Sequence, residues 1–287
     1  MTLATELQKR IAAHFPQLSS KQKQVARFIL DNEYFVAFAS VNTVGQKTGT
    51  SAATVVRFCQ AIGYEGYVDL QAAIREQLPR YPTYVQKVES GLATATPTDE
   101  MLKRVFATDT SNIARTADLI NAAVFDEAVA EMCRASGILV VGGGLCAPPA
   151  LFLAHSLRMM GFPARVVTTG GVPLALELSD LKPTDLLIGI SFWRYLRGTV
   201  EAMYKAKEIG APRIAITDNA LSPLARLADY SFLVAAEGVA HNLSPVAPMS
   251  LINAFIAALA LRAPDQVLKA LQRVDICYKE SHLLLQE

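Results

Sequence analysis

Ser51, Thr54 and Arg57 recur every third residue in Thr50-Ser-Ala-Ala-Thr-Val-Val-Arg-Phe-Cys-Gln60. On a helix this spacing gathers Thr54 and Arg57 on one face, opposite a stripe of Val55, Phe58 and Ile62. Hydroxyl and guanidinium donors on one exposed face are the groups that contact phosphates and base edges of duplex DNA. The small side chains of Ala52 and Ala53 would let the start of such a helix approach the major groove closely. The plain alternative is a solvated polar face on a small helical bundle, and the residues alone leave both open.

A second group of candidates lies in Ile190-Ser-Phe-Trp-Arg-Tyr-Leu-Arg-Gly-Thr199. Arg194 and Arg197 have the chemistry to clamp a carboxylate or phosphate, and Trp193 and Tyr195 to stack on a ring. The alternative is that the aromatics pack an interface between copies and the arginines are solvated. Val140-Val-Gly-Gly-Gly-Leu-Cys-Ala147 ends a strand and enters a helix. Gly142, Gly144 and Ala147 satisfy the G-x-G-x-x-A spacing of dinucleotide sites, a weak signal by itself. Such a site wants an acidic residue at the end of the second strand, where this chain has Arg165-Val-Val-Thr-Thr-Gly170. No nicotinamide or flavin cofactor is therefore expected, and the glycines serve a tight turn whose amides face an anion.

Gly143, Gly144, Leu145 and Cys146 are the contact candidates of that turn, with Thr168, Thr169 and Thr217 just beyond strand ends. At a helix N-terminus the Cys146 pKa would fall, although a small buried hydrophobe is the simpler role. His155 is expected on a helix against the sheet, whereas His241, near Glu237, would reach a ligand from a loop.

The elements that must position these groups are legible in outline. Ser19-Ser20 caps an amphipathic helix bearing Val25, Phe28 and Ile29 on one face. A short helix follows from about Val41 to Thr48 and stops at Gly49; Ser51 caps a third, which ends at Gly63. Two short helices joined by a glycine-containing turn, behind a third, predict a helix-turn-helix. Residues 79–98 carry Pro79, Pro82, Gly91 and Pro97 and read as a linker between a domain at 1–78 and one at 99–287. Helical periodicity returns from about Asp99 to Cys133. Apolar strands are then expected at Ile138–Val141, Ala164–Val167, Leu186–Ile190, Arg213–Ile216 and Tyr230–Val234, alternating with helices such as Pro149–Met160 and Val200–Ile209. That alternation predicts a parallel sheet flanked by helices, with ligands at the carboxyl ends of the strands.

The whole chain suits two packed domains: 287 residues, 52% hydrophobic and 18% charged. Its four cysteines lie far apart without ligand spacing, so neither a metal site nor a disulfide framework is expected. The pattern suits a reducing, cytoplasmic location. Residues 1–80 hold nine Lys/Arg against six Asp/Glu, an excess of positive charge that permits DNA binding there. The longest apolar run, Val246 to Leu261, is too short for a membrane span and reads as a core or interface helix.

The stretch from Ser40 to Tyr64, above all Ser51-Ala-Ala-Thr-Val-Val-Arg-Phe-Cys59 and the following Gly63, Tyr64, Gly66 and Tyr67, resembles the helix-turn-helix of the RpiR family of bacterial transcription regulators. That family adds a C-terminal sugar-isomerase-type (SIS) domain, so the resemblance implies an all-α N-terminal domain followed by an α/β SIS domain. It implies DNA contacts from Ser51, Thr54 and Arg57, with Gln46 and Lys47 on the supporting helix. In phosphosugar-binding relatives a Ser/Thr-rich turn after the third strand cradles the phosphate. Here Ser191 and Thr199 remain and aromatics occupy the rest, which leaves carboxylate beside sugar phosphate as the expected anionic effector. The expectation is a non-enzymatic regulator that acts as a homodimer or homotetramer on an operator. Met249–Leu261 and the helix near Asp99–Ile120 are its candidate contact surfaces. A sugar-phosphate isomerase and a ligand-blind dimeric DNA-binding protein are the alternatives.

Overall fold

The computed structural model describes residues 6–77, 85–86, 88–89 and 97–282. The chain forms two compact units, residues 1–81 and 82–287. Most of the expected linker (79–84, 87 and 90–96) lies outside the described residues; the next helix begins at Thr98.

The first unit is all helical: α1 (Glu6–His14), α2 (Ser20–Asp31), α3 (Glu33–Phe38), α4 (Val41–Lys47), α5 (Ala52–Ala61) and α6 (Tyr67–Gln77). The three expected helices are α2, α4 and α5; α1, α3 and α6 are additional. Ser19 and Gln22 form a reciprocal capping box that starts α2. Leu7, Ile11, Val25, Ile29, Val44, Val55, Phe58, Ile62, Leu70 and Ile74 make one core, each at most 1% exposed. The α4–α5 turn needs glycine twice. Gly49 has φ +58°, and a Cβ on Gly45 would meet Ala52 N at 3.0 Å and Thr50 O at 3.1 Å. At the end of α3, the Tyr67 hydroxyl and the Gln71 amide donate to the carbonyls of Val36 and Ala39 (2.8–3.1 Å). Arg75 Nε adds a bond to Ala37 O at 2.7 Å. Side chains at i, i+4 and i+8 of α6 thus satisfy carbonyls that the end of α3 leaves over.

The second unit begins with α7 (Thr98–Leu119) and α8 (Ala122–Arg134). Helical periodicity was expected from about Asp99 to Cys133, with a helix near Asp99–Ile120. The chain breaks between the two helices at Ile120-Asn121, where the Asn121 side chain accepts the amides of Ala123 and Val124 and caps α8. The α/β part then runs β1 (Ile138–Val141), a 3-10 turn (Gly144–Cys146), α9 (Ala147–Met159), β2 (Ala164–Val167), α10 (Val172–Ser179), β3 (Leu186–Ile190), α11 (Arg197–Ile209), β4 (Arg213–Thr217), α12 (Pro223–Leu227), β5 (Tyr230–Leu233), α13 (Val246–Arg262) and α14 (Pro264–Glu280). The α10 helix was not given bounds from the sequence, and α11 starts three residues before Val200.

All five strands pair in parallel in the order β2-β1-β3-β4-β5. Chain direction across the sheet reverses between β1 and β3, and the carboxyl edge at such a switch point is where ligands bind in open α/β sheets. The helix α9 packs on β1 and β2, and α11 on β3 and β4. Phe125 of α8 stacks on Phe255 of α13 at 4.8 Å, and Phe232 of β5 meets Phe255 edge-on at 5.1 Å, fastening those helices to the sheet. Helix α13 buries Leu251, Ile252, Phe255 and Leu259 and exposes Asn253, Ala254, Ala257 and Leu261. No single helix among the described residues is long and apolar enough to cross a membrane.

Candidate nucleic-acid interface and ligand cavity

In the first unit the Ser51 hydroxyl accepts the Thr54 amide (3.2 Å) and lies 3.0 Å from the Thr54 hydroxyl, capping α5. The stripe of Val55, Phe58 and Cys59 faces inward, which leaves Ser51, Ala53 and Arg57 exposed and Ala52 and Thr54 half-buried. Arg57 lies back along its own helix, donating from Nε to Ala53 O at 3.2 Å. Gln46 and Lys47 are exposed on α4. Behind this face, Arg10 donates to Gly63 O (3.0 Å) and stacks over Tyr64 (4.8 Å), so α1 holds the far end of α5. Burial pushes the Cys59 thiol up to about 12.

In the second unit a cavity of about 230 Å³ opens at the carboxyl ends of the first three strands. Val141 and Gly143 line it from β1 and its turn, and Val167, Thr168, Thr169 and Gly170 from β2 and beyond. Leu174 of α10 and Leu196, Arg197, Gly198 and Thr199 at the start of α11 complete the lining. No side chain caps α11, so the amides of Arg197, Gly198 and Thr199 have no acceptor among the described residues. Thr199 is 3% exposed, and its hydroxyl, like those of Thr168 and Thr169, has no hydrogen-bond partner among the described residues. Arg197 is exposed and pairs with Glu201 at 2.7 Å, a surface contact of typically about 0.5 kcal/mol that a stronger anion displaces readily.

Of the residues singled out by sequence, Gly143, Thr168, Thr169, Arg197 and Thr199 come together in the cavity. The others do not line it. Ser191 and Thr217 are buried, with the Thr217 hydroxyl donating to Ser191 O at 2.8 Å. Tyr195 donates to Asp218 at 2.7 Å, and Arg194, exposed, lies over the buried Trp193 ring at 5.8 Å. Gly144 and Leu145 are exposed beside the turn. Cys146 is buried, as the simpler of its two readings had it, and desolvation raises its pKa to about 11; burial overrides the helix terminus. His155, Glu237 and His241 are exposed outside the lining, and Glu237 pairs with Arg115 at 2.8 Å. Sequence reading missed Leu174 and Leu196, apolar residues that carry no signal of a binding role. A Cβ on Gly143 would lie 2.7 Å from the Leu196 methyl, so Leu196 covers the glycine turn where a dinucleotide phosphate would sit.

The models for two domains match the chain: the helix-turn-helix domain of the rpiR family over residues 5–80, and the SIS domain over residues 131–261. The two units are those of a helix-turn-helix regulator that carries an SIS domain. The crystal structure of the sugar isomerase domain of the RpiR transcription factor from Sphaerobacter thermophilus is 41% identical, covering 61% of this chain and 98% of that one, with a TM-score of 0.60. An HTH-type transcriptional regulator of Caldanaerobacter subterraneus is 25% identical over 255 residues, 88% of this chain and 89% of that protein. The Vibrio vulnificus NanR protein complexed with ManNAc-6P shares the fold at 23% identity and a TM-score of 0.58, covering 98% of this chain and all of that one. The chain belongs to the RpiR family.

Proposed function

We propose that this regulator contacts operator DNA through the exposed face of α5 and that a small anion in the SIS cavity changes its operator affinity. The observation that carries the second part is the cavity itself. Three threonine hydroxyls, an uncapped helix N-terminus and Arg197 converge there at the switch point of the sheet. Its volume lies below the ~300 Å³ at which drug-sized sites begin, which suits a compact metabolite. The anion is a carboxylate or the phosphate of a sugar phosphate, and the ManNAc-6P held by the related NanR supports the second class. Isomerisation would need an acid–base side chain beside the ligand. The lining holds no carboxylate or imidazole among the described residues, which favours sensing over turnover.

On the DNA side, Ser51, Thr54 and Arg57 are the proposed contacts, Ala52 and Ala53 admit the groove, and Gln46 and Lys47 reach the backbone. A homodimer or homotetramer would place two such helices on half-sites about 34 Å apart. Selection of bound fragments from sheared genomic DNA tests this, with wild type beside a Thr54→Ala, Arg57→Ala double variant. Wild type is expected to enrich a few palindromic sites that the variant loses. Equal enrichment by both proteins would remove α5 as the reading helix. Anisotropy on the recovered sites, with and without a panel of sugar phosphates and carboxylates, then tests the effector. Operator affinity unmoved across the panel would leave the ligand-blind alternative.

A further inference from the structure

The chain between β3 and α11 takes Trp193 and Arg194 through left-handed backbone, with φ +26° and +63°. Side-chain-bearing residues avoid that region, and two in succession need something to hold them. Asp218, the first residue after β4, supplies it. Its Oδ2 accepts the Trp193 amide at 3.1 Å, and its Oδ1 accepts the Tyr195 hydroxyl at 2.7 Å. One carboxylate thus fastens both sides of the reversed segment, while Thr217 ties the preceding Ser191 carbonyl to β4. The segment leads directly into Leu196, which lies over Gly143 and Gly144, and then into Arg197, Gly198 and Thr199 of the cavity wall.

We infer that Asp218 and Tyr195 are positioning residues for effector binding: they hold the β3–α11 loop so that Leu196 and the first turn of α11 form the cavity wall. Tyr195 then serves the site through Asp218 and does not touch the ligand. The inference rests on the reading of the cavity as the effector site. It also explains why a loop of bulky aromatics can stand where glycine and serine would make a more pliant turn.

Trp193 is the chain's single tryptophan and is 6% exposed, so its fluorescence reports the loop directly. Emission and acrylamide quenching are to be compared among full-length wild type, Tyr195→Phe, Asp218→Asn, Arg197→Ala and Asp229→Asn. Asp229 pairs with Arg213 at the other end of β4, so its variant controls for general loosening of that strand. Each protein is titrated calorimetrically with inorganic phosphate, glucose 6-phosphate and pyruvate. Tyr195→Phe and Asp218→Asn are expected to red-shift the emission, to raise quenching and to weaken the binding probe about tenfold, the usual effect of losing a bond to a charged group. Asp229→Asn is expected to leave emission unchanged.

Emission unchanged in both loop variants, or shifted equally by Asp229→Asn, overturns the inference. So does a red shift with probe affinity retained, if Arg197→Ala still abolishes binding; the cavity reading then survives alone. Wild type that binds none of the probes, or Arg197→Ala that binds as wild type does, overturns the cavity reading and this inference with it.

Discussion

At the scale of single residues, two arginines three positions apart have different environments. Arg197 lines the cavity from the first turn of α11, whereas Arg194 rests on the Trp193 ring away from it. Arg197→Ala is expected to weaken an anionic effector by about 10- to 100-fold, the range for a charge-assisted bond, and Arg194→Ala to change it less than twofold. Ligand-induced rises in melting temperature measure both. The sequence presented the two as one clamp, because nothing in their spacing reveals the left-handed turn that parts them. Cys146 teaches the same lesson, since a helix terminus argues for a reactive thiolate and burial argues harder against it. Its pKa of about 11, and about 12 for Cys59, fix a sign. Both thiols hold their protons more tightly in the folded chain than in the unfolded one, so their contribution is complete below about pH 9 and is lost as pH rises towards 11–12. Urea unfolding at rising pH is expected to show stability falling by up to about 1.4 kcal/mol per unit per thiol. Cys146→Ala is expected to make that decline shallower.

At the scale of elements, the fit of α4 against α5 depends on one missing side chain. Gly45→Ala would drive a methyl against backbone atoms of Thr50 and Ala52, destabilising the first unit by about 1–3 kcal/mol and displacing α5. Gly49→Ala meets only a flexible side-chain end at 3.9 Å, so it bears the strain of φ +58°, about 1 kcal/mol, without moving the helix. Denaturation paired with operator anisotropy separates them: both variants lose stability, and Gly45→Ala loses DNA affinity as well. The elements with strong local signals were readable, namely the capped α2 and α5 and the five apolar strands. The others lacked such signals. The α3 helix is six residues long and relies on Tyr67, Gln71 and Arg75 of α6 to satisfy its end. The α10 helix is only eight residues long and follows Gly170-Gly171, so no long periodic stretch marks it. The cavity's location was legible from the order of strands and helices, but its apolar wall was not, because Leu174 and Leu196 look like any core leucine.

At the scale of the whole molecule, the proposed coupling of an effector to operator binding must obey reciprocity. If the effector shifts operator affinity by about 5- to 150-fold, operator DNA must shift effector affinity by the same factor in the same direction. Calorimetric titration of the effector into protein with and without a saturating operator fragment measures this. Unequal factors would mean that the anion acts somewhere other than through the binding equilibrium of this chain.

The helix α7 adds a mechanical consequence. Its second half is bolted to the segment that follows β5: Asn112 donates to Glu237 O at 2.8 Å, Thr116 accepts the Ala235 amide at 2.9 Å, and Asp109 accepts the Ser244 hydroxyl at 2.5 Å. Its first half, with Leu102 and Phe106 exposed, continues without a break to Thr98, about 16 Å beyond the first of those bolts. A stiff rod anchored at one end amplifies any rotation at its anchor. A tilt of about 20° at the anchored end, small enough for side-chain adjustments to absorb, would carry the tip through about 5 Å, roughly one helical turn. The reach of that free half is set by the length of one helix, and its anchorage by three bonds to the segment after β5.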